Sequence, residues 1–183
     1  MEPTEAWPSI VVGQLEDQGY QVTDFSVFGA VDATSLDLNA ALNSNNPTCK
    51  NVATIMVGAQ DHFEGRSLEE FRADYRSLIT KAVTLTGNTH RVTCVTLPNY
   101  SSAPGLPASA GTEAQAETTL MAMNSIIAEE ADLAGVNLAD IFPISGALYE
   151  NAGAYTPEDE LHADADQQLA WAEIIAFVIE SNF

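Results

Sequence analysis

Apolar positions along this chain follow two rhythms. Between Trp7 and Leu15 they recur at intervals of three and four (Trp7, Ile10, Val11, Leu15), which predicts a helix with one buried face, and Gly19 supplies a stop. YQVTDFSVFG, residues 20–29, is rich in β-branched and aromatic residues and reads as a strand ending at Gly29. A helix around TSLDLNAAL follows, with Thr34 or Ser35 as its cap. NVATIMVG (51–58), RVTCVTLP (91–98) and VNLADIF (136–142) are short continuous apolar runs, the mark of strands covered on both faces. Between them lie two amphipathic helices. One opens with the capping box Ser67-x-x-Glu70, and the other runs from about Thr112 to Ala134 and stops at Gly135. The segment 99–111 is a Pro/Gly/Ser loop, and the chain closes with a polar loop and a helix from near Ala163.

Single helices alternating with apolar strands predict an α/β fold: a three-layer α/β/α, flavodoxin-like parallel sheet in one domain over residues 1–183. Right-handed connections in such a sheet collect the ends of the strands, and any ligand, on one rim. The residues after each strand are therefore the candidates for chemistry: Gly29, then Gly58-Ala59-Gln60-Asp61-His62, then the loop after Pro98, and finally Asp159 and His162.

Charge narrows the partners. Against 26 Asp and Glu stand 6 Lys and Arg, a formal net of −20, which offers almost nothing to neutralise phosphates. Nucleic acid and anionic membranes are disfavoured; neutral or cationic small molecules are favoured, and a salty habitat or secretion is compatible with such a surface. No apolar run approaches the roughly 18–20 residues that span a bilayer, and the N-terminus lacks the basic and apolar regions of a signal peptide. Cys49 and Cys94 make no disulfide framework.

Taken in order, the rim segments resemble those of the SGNH (GDSL-type) hydrolases, three-layer α/β esterases and lipases that draw Ser, Gly, Asn and His from four separate blocks. VTDFSVFGA is similar to the second block, with Gly29 at the oxyanion-hole glycine. IMVGAQD is similar to the third, with Gln60 where the family has asparagine. DELH (159–162) matches the closing Asp-x-x-His block. The resemblance implies a carboxylic ester hydrolase in which His162 is the base, Asp159 its partner, and Gly29 and Gln60 the oxyanion donors, with no metal or organic cofactor. It covers nearly the whole chain except the first block: no serine stands at the nucleophile position, so the domain is expected to be N-terminally incomplete relative to the family.

That departure leaves three functions open: an ester hydrolase whose nucleophile segment is supplied from elsewhere, a non-catalytic relative binding a carbohydrate or acyl ligand, or a fragment completed by another chain. In the family the first strand lies between those ending at Gly29 and Gly58. Its absence predicts that these two strands close up, or that self-association, a partner strand or a rearranged segment fills the gap. The acidic group Glu158, Asp159, Glu160, Asp164 and Asp166 lacks the spacing of an EF-hand and reads as a solvated face. His62 is expected at the solvated rim, and Asp159 as a possible cap of the last helix.

Overall fold

A computed structural model describes residues 6–45, 47–149, 155–156 and 159–183. In chain order the elements are α1 (Trp7–Asp17), α2 (Ser35–Asn45), β1 (Ala53–Ile55), α3 (Ala59–Phe63), α4 (Leu68–Thr86), β2 (Val92–Val95), α5 (Glu113–Ala134), β3 (Asn137–Ala139), α6 (Phe142–Tyr149) and α7 (Ala165–Glu180). The strands form a parallel sheet in the order β1-β2-β3, with Ile55 opposite Cys94 and Cys94 opposite Leu138.

Local signals set the helix ends. Ser67 and Glu70 close the predicted capping box of α4, and Thr112 with Gln115 closes an equivalent one at α5. Gly87 and Gly135 end these helices at φ +66° and +64°, a conformation in which a β-carbon is costly. Thr34 caps α2, its hydroxyl accepting from Asp37 N at 3.2 Å.

Two apolar clusters sandwich the sheet. Phe71, Tyr75 and Leu78 of α4 and Leu120 and Ile127 of α5 pack with Ile55 and Cys94 on one side. Val11 and Leu15 of α1 and Trp171 and Ile175 of α7 pack with Val95 and Ala139 on the other. The three-layer α/β/α arrangement is therefore as the sequence predicts, and alternate residues of β2 feed opposite faces.

Three expectations are corrected. Residues 20–30 form no strand: they run extended and mostly exposed, and among the described residues they neither pair with nor close up against β1. A strand exists only where its N–H and C=O groups meet a neighbour, and none is within ladder distance here. As a consequence β1 is an edge: Ala53 and Thr54 are only half-buried while Ile55 is buried, whereas all four residues of β2 are buried. Finally, the stretch after β3 is not simply loop. α6 starts at Phe142, whose N–H donates to Thr96 Oγ1 and Asp140 Oδ1, both at 3.2 Å.

Candidate functional site

The rim is anchored by residues that tie loops to strand ends. Asn124, buried on α5, holds Leu97 through both amide atoms, accepting from its N–H at 2.7 Å and donating to its carbonyl at 3.0 Å. Thr96 Oγ1 donates to Asp140 Oδ1 at 2.9 Å and accepts from Ile141 N at 2.9 Å. The loop after β2 and the start of α6 thus leave the sheet in fixed directions.

On this rim Asp159 and His162 sit together in a tight turn. Asp159 Oδ1 accepts from Leu161 N at 2.9 Å, His162 N at 3.0 Å and the Thr156 hydroxyl at 3.0 Å, while Oδ2 accepts from His162 Nδ1. Thr156 N donates to His162 O at 2.8 Å, and Tyr155 pairs antiparallel with Ala163, so the turn closes on itself. Glu160 takes φ +54° to make the bend. Burial alone would raise the Asp159 carboxyl, but the N–H groups of His162 and Leu161, the imidazole and the Thr156 hydroxyl outweigh it and hold Asp159 well below the usual carboxylate range. An ionised Asp159 on Nδ1 fixes the imidazole tautomer and leaves Nε2 as the nitrogen presented outward; the His162 side chain is 74% exposed. Asp159 does not cap α7: that role falls to Asp164, which accepts from Gln167 N at 3.0 Å.

Sequence reasoning missed the residue that seats this turn. Gly105 donates its N–H to Glu160 O at 3.0 Å, and a β-carbon on Gly105 would overlap the Asp159 carbonyl oxygen. Only glycine permits this approach. The Pro-Gly step was visible in the sequence, but not what would press against it.

The other predicted residues are placed differently. Gln60, in α3, gives its amide to Glu64 Oε1 at 3.1 Å and shares no hydrogen bond with the Asp159–His162 pair. Gly29 lines a cavity of about 340 Å³ with Phe28, Leu38 and Ala41, on the α2 side. Its φ is not positive and nothing lies within 4 Å of where its β-carbon would stand, so neither backbone nor space demands glycine there. Gly58 is the reverse: φ is +140° and a β-carbon would meet Phe71 Cε2 at 2.9 Å.

Asp61 is buried and holds structure, accepting from Ser35 N at 2.8 Å, Ser35 Oγ at 2.6 Å and Arg66 Nη1 at 2.7 Å. His62 is buried rather than solvated, 3.1 Å from the Tyr100 hydroxyl. Burial pushes its imidazole below the ordinary histidine range, against an opposing hydrogen bond at Ala110.

No described serine hydrogen-bonds to His162. Ser101 Oγ donates to Asn99 Oδ1 at 2.7 Å, Ser102 Oγ lies 3.3 Å from the Tyr155 hydroxyl, and Ser35 is held by Asp61. Glu158 of the acidic group lies outside the described residues, and among those described no cluster of His, Cys, Asp or Glu fits a metal ion.

Residues 2–168 match the sequence pattern of the GDSL-like Lipase/Acylhydrolase family. No curated protein matches the chain. Among solved structures it is similar to TesA, at 17% identity and TM-score 0.69, covering 100% of this chain and 92% of that one. It is likewise similar to the psychrotrophic esterase EstA from Pseudoalteromonas sp., inhibited by monoethylphosphonate in that structure (13%, TM-score 0.66, 99% and 89% covered). A third is the acetyl xylan esterase AlAXEase (17%, TM-score 0.65, 93% and 89% covered). At these identities the likeness is one of fold.

Proposed function

Because the chain belongs to the GDSL-like lipase/acylhydrolase family, we propose that it hydrolyses carboxylic esters, with His162 as general base and acid and Asp159 as its orienting partner. The observation that carries this is the pre-ordered pair itself: a carboxylate held ionised, bonded to Nδ1, beneath an outward-facing imidazole on the sheet's rim. A serine oxygen attacks the acyl carbon and its proton passes to His162 Nε2. The alcohol leaves with that proton, and water then attacks the acyl-enzyme through the same histidine, releasing acid and restoring the serine.

The labelling below identifies which serine acts, because no described serine bonds to His162. Gly29 N–H and the Gln60 amide serve the oxyanion; the Gln60–Glu64 bond is exposed and so is given up cheaply. That two of the similar structures are esterases, one of them of acetyl xylan, supports short acyl esters as the first substrates to try.

The test is hydrolysis of p-nitrophenyl acetate, together with fluorophosphonate labelling mapped by mass spectrometry. Activity and one labelled serine, both lost in His162→Ala and reduced by roughly 10⁴-fold in Asp159→Asn, are expected. A folded protein that neither labels nor hydrolyses, or a His162→Ala variant as active as the parent, would overturn the proposal.

A further inference from the structure

Among the described residues His62 is the one buried histidine, and two segments enclose it. The Tyr100 ring stacks on the imidazole at 6.0 Å and 27°, and its hydroxyl lies 3.1 Å from Nδ1. Phe63 closes another side, edge-on to Tyr100 at 5.3 Å. The His62 ring also hydrogen-bonds the backbone of Ala110, in the turn Ala108–Ala110 that packs on α3. One imidazole therefore touches residues 100 and 110, the two ends of the 99–111 loop.

Between those ends the loop is a string of tight turns with little slack. Ala103 N donates to Tyr100 O and Leu106 N to Ala103 O, both at 3.0 Å, and Ala110 N donates to Pro107 O at 2.9 Å. The middle of the loop carries the contacts that seat the Asp159–His162 turn. These are the Gly105 N–H on Glu160 O, the close approach of Gly105 to the Asp159 main chain, and Ser102 Oγ against the Tyr155 hydroxyl. Position is handed from α3 through the loop to the turn.

Nothing in this pocket welcomes a charged ring. Among the described residues no carboxylate hydrogen-bonds His62, and the 99–111 loop has no charged side chain. The acids on neighbouring elements are engaged elsewhere: Asp61 with Ser35 and Arg66, Asp74 with Arg66, and Glu64 with Gln60. Asp159 serves its own turn, and Glu113 at the start of α5 acts on Tyr155. Burial accordingly lowers the His62 imidazole against its bond at Ala110. The fold thus favours the neutral ring. The contact is intact above the ordinary histidine value of about 6.5 and is lost as pH falls through the lower folded value.

We propose that His62 is a positioning residue for the Asp159–His162 turn: neutral, it ties both ends of the 99–111 loop to α3 and so holds Gly105 against Glu160; protonated, it leaves its pocket, and loop and turn come away together. That the turn so held is catalytic rests on the ester-hydrolase proposal; the holding itself does not.

The test is residue-resolved hydrogen exchange of the Gly105 amide by NMR, corrected for intrinsic rates, from about pH 7.5 to about pH 5, with the ring signals of His62 and His162 followed alongside. Gly105 protection is expected to fall at least about tenfold, with the midpoint of the His62 ring and not that of His162. In His62→Gln, whose amide stays neutral, protection of Gly105 should be the same at both ends of the range. Constant protection through the His62 titration overturns the proposal, as does a midpoint that follows His162 or a His62→Gln variant that loses protection as the parent does. Hydrolysis of p-nitrophenyl acetate is read separately. An inactive chain in which Gly105 protection still follows His62 supports the positioning role and counts only against the ester-hydrolase proposal.

Discussion

Replacing Gly105 with alanine adds one methyl group at the point where the 99–111 loop meets the Asp159–His162 turn. That methyl overlaps Asp159 O and lies 3.1 Å from the carbonyl carbons of Asp159 and Glu160. All three are main-chain atoms, so no rotamer relieves the contact and the turn must retreat. Overpacking of this kind costs about 1–3 kcal/mol. Stretching the Gly105 N–H bond to Glu160 O, now 3.0 Å, adds about 0.5–1.5 kcal/mol if it is lost. For a chain of this size about 1 kcal/mol lowers Tm by roughly 2–4 °C, so a fall of roughly 2–18 °C is expected in thermal unfolding by circular dichroism. If instead the turn detaches locally, the loss appears in ¹⁵N spectra of the His162 ring, where the Nδ1-protonated tautomer gives way to a mixture. A variant with unchanged Tm and unchanged His162 resonances would refute the close approach and the seating role with it.

Gly29→Ala is the matching control: with open space and an ordinary φ, stability should stay within about 0.5 kcal/mol, so any loss of esterase activity in it reports on the oxyanion and not on folding. Burial pushes the Cys94 thiol up to about 11, against a lowering hydrogen bond from Tyr75, whereas Cys49 is exposed; Ellman's reagent at pH 8 should titrate one thiol per native chain and two after denaturation. Arg76, against the opposing cost of burial and with help from Arg72, holds Glu130 below its ordinary carboxylate range. Its folded pKa is therefore the lower one. The stabilisation is fully present above the unfolded value of about 4.3 and is lost as pH falls through the folded one. The gap in urea midpoint between the parent and Glu130→Gln should thus be constant from pH 7 to 5 and narrow below pH 4; a gap that widens on acidification would reverse the assignment.

The sequence by itself determined what depends on neighbours within about four residues. The capping box at Ser67, the stop at Gly135, and the helical period of α1 and α4 are all hydrogen bonds or repeats local to the chain, and the structure keeps them. The Asp159–His162 pairing belongs here too, since three residues of separation let one side chain reach both the N–H and the ring of the other. What only the tertiary structure decided depends on residues far apart. YQVTDFSVFG has strand composition but no strand, because a ladder needs a second backbone and β1 does not come close enough to be one. His62 is buried, because Phe63 and the Tyr100 ring, 38 positions from His62, cover it. Gly105 matters because Glu160 folds back on it. Propensity and periodicity describe a residue's preference; pairing, burial and close approach are properties of two segments at once, and a single segment's sequence carries only half of them.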